Sequence, residues 1–302
     1  MFSDLLNESG LSLDRLRSFC LVAQAGGVTR AARSDPAKQS LFSRQIKELE
    51  EFFGAELIRR KGRGIVLTAA GERLYSLARE CFASLLDFKN QCKALPVEVV
   101  VGAGESIIEW LLLPHLNQIR NQLPNLRLTF LNLPTDEAIK RLMDGALDFA
   151  VVRKDAISRP LRATSLGVLH YSLFVPQGLR AVAGHEDTVR LLDGLPLATL
   201  EGEGSFRNAL AQTAKKAGIS LNIQVECSSF PLAARAVARG GVAAILPSIA
   251  AADLQNAAVS QLSVPALKRF DRELCLAMNV RLLRVRPALQ AVADALAQRC
   301  RC

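Results

Sequence analysis

Between residues 13 and 92 the apolar positions recur at helical steps, interrupted once near residue 60. After residue 96 they change to short apolar runs alternating with amphipathic stretches. Leu13, Leu16, Phe19, Cys20 and Ala23 put one apolar stripe on a first helix, which the Gly26-Gly27 pair ends. A second helix begins over 29–33, where Ala31 and Ala32 are small enough to let another helix approach. Over 39–53, Leu41, Phe42, Ile46, Leu49, Phe52 and Phe53 form a buried side, while Gln39, Ser40, Ser43, Arg44 and Lys47 form a polar one. Residues 57–68 read as a hairpin. Arg59, Arg60, Lys61 and Arg63 cluster around Gly62 and Gly64, and Ile65, Val66 and Leu67 return as a strand. Thr68 is placed to cap a long helix in which Leu74, Leu77, Cys81, Leu85, Phe88 and Cys92 follow steps of three and four.

That succession describes a winged helix-turn-helix, which sets one helix in the major groove and a loop against the neighbouring backbone. Glutamine can pair with adenine and arginine with guanine, so the polar side of the third helix suits base edges. A basic hairpin tip suits phosphates, which position a protein without reading sequence. The bland alternatives are a solvated helix face and a solvated loop. The seam of the long helix fits a two-helix coil joining two copies, or burial against its own domain.

From residue 97 strands are expected over 97–101, 126–131, 149–152, 171–175, 196–200, 221–225 and 243–246. Helices are expected over 106–119, 135–144, 205–217, 231–238 and 288–297. Such alternation makes α/β layers. Its length suggests two lobes, with crossings near His170 and over 264–267 and a small-molecule cleft between. The expected division is 1–68 for the reader, 69–95 for a linker helix and 96–302 for a sensor. Within the sensor, lobe I takes about 96–169 and 267–302, and lobe II about 170–266. Ser106, Thr135, Ser205 and Ser228 lie near strand ends or helix starts, as effector-binding groups or as plain caps, and suit a polar or carboxylated ligand.

The motifs argue against catalysis and metal binding. Gly102-Ala103-Gly104 lacks the third glycine of a dinucleotide fingerprint, since Ile107 stands there. His115, His170 and His185 have no metal-ligand spacing, and residues 202–205 read GEGS rather than a nucleophile elbow. Seven cysteines without paired spacing read as reduced small hydrophobes, and Cys300 and Cys302 as loose thiols in a surface tail. Neither a catalytic residue nor a metal or cofactor is expected. A net charge of +9 allows a polyanionic partner, although the reader and the remainder are both mildly basic. No membrane span and no secretory leader is read, which gives a cytoplasmic expectation.

The residues LDRLRSFCLVAQAGGVTRAAR and SRQIKELEEFFGAELIRRKGRGIVLTAAG resemble the LysR-type transcriptional regulators. LDFAVV at 147–152, YSLFVP at 171–176 and ARGGVAAILP at 238–247 follow in the order of that family. The resemblance covers nearly the whole chain. It implies an α/β protein overall: an N-terminal winged helix-turn-helix, a long dimerising linker helix and a C-terminal two-lobed effector domain like periplasmic binding proteins. It also implies sequence-specific regulation modulated by a small, polar or anionic effector. The implied partners are double-stranded DNA, a small-molecule effector, further copies in a homodimer or homotetramer, and RNA polymerase if the protein activates. Candidate DNA contacts are Thr29, Lys38, Gln39, Ser40, Ser43, Arg44, Lys47, Arg60 and Arg63. Candidate effector contacts are Ser106, Thr135, Ser205 and Ser228, and candidate dimer contacts are Leu74, Leu77, Cys81, Leu85 and Phe88.

The chain departs from the family pattern at the turn. Asp35 stands at the usual core leucine, Lys38 at the capping serine, Ser40 at the proline and Gly27 at an earlier serine cap. Burying an unpaired carboxylate is costly, so the turn must be rearranged or Asp35 turned outward. The alternative reading is a solute-binding or enzymatic α/β protein with a degraded reader.

Overall fold

The computed structural model describes residues 9–62, 64–179 and 189–302. The expected wing contact Arg63 and His185 lie outside them. Helix α1 (Leu13–Ala25) starts where Ser12 Oγ accepts the Arg15 amide at 3.2 Å and stops at Gly26, whose φ of 65° is left-handed. After the single-turn α2 (Val28–Ala31), Arg33 and Ser34 both take positive φ, and α3 (Pro36–Phe53) begins. That start is three residues before the expected one. Asp35 accepts the Ala37 and Lys38 amides at 3.0 and 3.3 Å, and Pro36 occupies the first helical position, where a missing N–H costs nothing. The misplaced carboxylate is thus both turned outward and used as a cap.

Phe19, Val22, Ala32, Phe42, Ile46 and Leu49 fill the reader's core together with Leu57 and Leu74. Leu41 and Phe53, expected on the buried side, are exposed. Strands β1 (Ile58–Lys61) and β2 (Gly64–Leu67) pair antiparallel as the wing. Thr68 caps α4 (Ala69–Cys92) by accepting the Gly71 amide at 3.0 Å, and its hydroxyl donates to the Glu56 carbonyl at 2.6 Å. At 1.5 Å per residue, α4 runs roughly 36 Å.

The rest forms two sheets. The first contains β3 (Val97–Ala103), β4 (Leu126–Asn132), β5 (Phe149–Arg153), β6 (Leu161–Leu169) and β12 (Arg272–Asn279), in the order β4-β3-β5-β12-β6. The second contains β7 (Tyr171–Pro176), β8 (Pro196–Leu200), β9 (Asn222–Cys227), β10 (Ala243–Pro247) and β11 (Val259–Leu262), in the order β11-β7-β10-β8-β9. The chain leaves the first sheet at Leu169 and enters the second at Tyr171, so His170 sits on the crossing. The return comes later than 264–267: Val264, Leu267 and Phe270 still pack in the second lobe's core, and the next strand starts at Arg272. His170 Nδ1 lies 2.7 Å from Asp271 Oδ2, which ties the two crossings together.

Three strands escaped the pattern reading. β6 and β11 are half-exposed with mixed polarity, and β12, RELCLAMN, opens on two charges before its buried run. The helix expected over 106–119 is interrupted. α5 (Glu105–Ile107) passes into a π-helical segment (Ile108–Leu112), a 3-10 turn at Pro114, and α6 (Leu116–Gln122). Cys300, expected as a loose thiol, is buried in the first lobe's core and its pKa is pushed up to about 11 by that burial. The tail is held: the Cys302 amide donates to the Leu166 carbonyl at 2.8 Å.

Candidate functional site

The reader presents Ser40, Ser43, Arg44 and Lys47 exposed on one side of α3, with Lys38 exposed in its first turn and Gln39 half-buried at its head. Several charges are already matched within the chain. Lys38 Nζ lies 3.6 Å from Asp35, Arg44 Nε 3.7 Å from Glu48 and Lys47 Nζ 3.7 Å from Glu51. These exposed pairs contribute little and can yield to phosphate or base acceptors. The Lys38 amide, then the Ala37 amide and the Lys38 charge, hold the Asp35 carboxyl below the ordinary carboxylate range.

The wing is fixed against α3 by a carboxylate that pattern reading missed. Glu50 Oε1 accepts the Leu57 and Ile58 amides at 2.8 and 3.3 Å. From the other side, the Gly26 carbonyl accepts both the Ile65 amide at 3.1 Å and the Arg30 guanidinium. Gly64 lets that approach happen, since a Cβ there would stand 3.0 Å from the Gly26 oxygen. Thr29, Arg30, Lys61, Gly64, Ile65 and Val66 line an open groove of about 560 Å³ between α2 and the wing. Thr29 and Lys61 therefore share one surface, and Arg59 and Arg60 beside Lys61 are exposed as well. A duplex backbone running along that groove would meet donors on both walls.

On α4, Leu77, Cys81, Leu85 and Phe88 form an exposed stripe, with Leu77 60% and Phe88 65% accessible. Leu74 departs from the expected seam. It is 9% exposed and fills the reader's own core beside Leu57. The neighbouring face of α4 is taken by the effector domain, where Ser84 Oγ donates to the Val285 carbonyl at 2.9 Å. Next to it, buried Arg286 reaches both carboxylate oxygens of Asp87, the Asp148 carboxylate, and the Glu98 carbonyl at 2.8 Å. Burial opposes the Arg286 charge, but hydrogen bonds and charge from Asp87 and Asp148 outweigh it and raise its pKa.

The four effector candidates fall on strand-end edges of both sheets. In the first lobe, Ser106 follows β3 and Thr135 opens α7 (Thr135–Met143) after β4. In the second, Ser205 opens α8 (Ser205–Ala217) after β8, and Ser228 follows β9. None of them caps a helix: Gly104, Pro134 and Gly204 hold the first three cap positions, and Ser229 caps α9 (Phe230–Ala238). Ser106 does not head a long helix, because α5 has one turn before the π-helical segment.

That segment instead bridges the lobes. Trp110 Nε1 donates to Asp253 Oδ2 at 2.7 Å, and Glu109 faces Arg235 at 3.4 Å. Both Asp253, in α10 (Ala251–Leu254), and Arg235, in α9, belong to the second lobe. Tyr171, Phe206 and Phe230 converge on the second lobe's strand-end edge, at ring-centroid distances of 5.0 to 5.9 Å. Sequence reading singled out none of these aromatics, although Phe206 directly follows Ser205. Among the described residues there is no group of three or more His, Cys, Asp or Glu side chains placed to hold a metal ion, and no helix long and apolar enough to cross a membrane.

Comparison with known proteins agrees with this layout. The LysR substrate binding domain matches residues 97–301, and the bacterial regulatory helix-turn-helix of the lysR family matches residues 13–72. A probable nitrogen assimilation transcriptional activator of Synechococcus elongatus is 27% identical over 258 residues, covering 82% of each chain. The nitrogen assimilation regulatory protein nac of Klebsiella aerogenes is 26% identical, covering 85% of this chain and 86% of its own. Among solved structures, ArgP from Mycobacterium tuberculosis superposes with a TM-score of 0.72 at 17% identity, covering 96% of this chain and 97% of its own. Full-length OxyR from Pseudomonas aeruginosa gives 0.66 at 21%, covering 96% and 95%. With a helix-turn-helix and an effector domain both matched in order, the chain belongs to the LysR family of DNA-binding transcriptional regulators.

Proposed function

We propose that two copies of this chain join along Leu77, Cys81, Leu85 and Phe88 and set two α3 helices into successive half-sites of a promoter. A small polar or anionic effector between the lobes then changes how that assembly holds DNA. Gln39, Ser43 and Arg44 read bases. Thr29, Lys38, Ser40, Lys47, Arg60, Lys61 and the wing residue Arg63 position the backbone. The observation that carries this reading is the groove between α2 and the wing, where Thr29 and Arg30 on one wall face Lys61 on the other. Support for pairing comes from the apolar stripe of α4, which its own domains leave uncovered. The work of this assembly is regulation, not turnover of a substrate, and it takes place in the cytoplasm. RNA polymerase contact belongs to the reading only if the protein activates.

Genome-wide mapping of bound sites, followed by duplex titration at several salt concentrations, tests it. Recovered sites should contain two half-sites separated by whole helical turns, with affinity falling steeply as salt rises. No reproducible enrichment together with salt-independent duplex binding would return the chain to the solute-binding alternative.

A further inference from the structure

Resting on the reading of the inter-lobe edge as the effector site, we propose that the effector is a ring-bearing acid. Its flat apolar ring lies against Tyr171, Phe206 and Phe230, and its anionic group meets Thr199, Arg207 and the first turn of α8.

The aromatic wall is assembled from three separate places in the chain. Tyr171 opens β7 just after the crossing, Phe206 is the second residue of α8, and Phe230 is the first of α9. Tyr171 and Phe206 stack with centroids 5.6 Å apart, and Phe206 and Phe230 meet edge to face at 5.0 Å. Phe270 closes the cluster from behind and is fully buried, whereas the other three rings keep part of their surface accessible. Tyr171 packs against the cores of both lobes, so the wall lies where the lobes meet. A ring placed on such a wall gains offset-stacked or edge contacts that an aliphatic chain does not.

The polar half rests on two unmatched atoms. Thr199 is 4% exposed, and its hydroxyl has no hydrogen-bond partner among the described residues. Arg207 Nη2 binds Glu226 Oε1 at 3.0 Å, but its buried Nη1 has no partner among the described residues. Thr199 and Glu226 face each other directly across β8 and β9, so their side chains share one face of the sheet. It is the face opposite Ala198, on the side where Leu197 and Leu210 pack beneath α8. Gly204 caps that 13-residue helix without a side chain, so its first amides are left for an acceptor. A Cβ on Gly202 or Gly204 would touch nothing within 4 Å, so the loop leaves room there. Buried donors without partners are costly, and a carboxylate supplies acceptors for the hydroxyl, the guanidinium and the helix amides at once.

The test uses the full chain, with phenylacetate as ring-bearing acid, hexanoate as acid without a ring, and benzyl alcohol as ring without an acid. Calorimetry measures affinity. The emission of Trp110, the only tryptophan, reports on the inter-lobe contact to Asp253. Phenylacetate should bind about tenfold more tightly than either control and shift the emission. Phe206→Ala should weaken it about tenfold. Phe206→Leu, which keeps apolar volume and the fold, should weaken it less, and Thr199→Val should weaken it severalfold without altering unfolding temperature. Hexanoate binding as tightly as phenylacetate, or no binding by any probe, would overturn the ring-bearing acid. Operator affinity measured with and without a cell metabolite extract judges the effector reading separately. A change there with no response to phenylacetate leaves a modulated regulator and removes only this ligand class.

Discussion

The two ends of helix α4 are joined to their domains in opposite ways. At the reader end the ties are local: Thr68 caps the helix and holds Glu56, and Gly71 passes so close to the Leu57 carbonyl that a Cβ would fall 2.0 Å from its oxygen. At the sensor end a single guanidinium gathers Asp87, Asp148 and the Glu98 carbonyl from segments up to 199 residues away. The first junction is rigid by steric contact, and the second is held by charge inside a low-dielectric site.

Breaking the charged junction should have the largest effect. Arg286→Ala leaves buried Asp148 and half-buried Asp87 without their cation and should cost about 3–5 kcal/mol of sensor stability, read by denaturant unfolding. A loss below about 1 kcal/mol would mean that the network is solvated in solution. At the other junction Gly71→Ala should cost about 3 kcal/mol, through overpacking against the Leu57 carbonyl, and lower the reader's unfolding temperature ahead of the sensor's. A single unshifted transition would show that the helix start can slide.

Smaller changes sharpen the comparison within the reader. Arg44→Ala should lose about 1–3 kcal/mol on the best operator and relax preference at one position, measured against a randomised duplex library. Lys61→Ala should weaken all sequences alike and reduce the salt slope by about 0.9. Equal loss on every duplex for Arg44→Ala would move Arg44 to the phosphate group. The smallest effect belongs to Asp35. Its folded-state pKa lies below its unfolded value, so the capping contribution is present above about pH 3.8 and fades as pH falls through the folded value. Carboxyl titration by NMR should find a midpoint below 3.8, and Asp35→Ala should increase amide exchange over the first turn of α3. A midpoint at or above 3.8 would remove the cap.

Much of the reader was legible along the chain. Period-3.6 stripes gave α1 and α3, and Gly62 and Gly64 among cations gave the wing. The start of α3 is not, because Asp35 stands by position at a core site and its role as a cap depends on the backbone bend at Arg33 and Ser34. Leu74 fits a dimer seam by spacing, yet it is buried in the reader's own core together with Leu57. Spacing cannot say which of two partners reaches a helix face first. In the sensor, the four hydroxyls at strand ends were found by their position after apolar runs. The aromatic wall and Thr199 were not, since apolar residues and a threonine inside a strand carry no sign of what faces them.

The sequence by itself determined the order of parts and the polar and cationic groups that α3 and the wing carry, because helical periodicity, glycine turns and clustered cations are local signals. Only the tertiary structure decided where α4 is gripped, which lobe holds Leu267 and Phe270, and how Tyr171, Phe206 and Phe230 come together. Those contacts join residues tens to hundreds of positions apart, and their geometry depends on sheet order and crossings that no local pattern encodes.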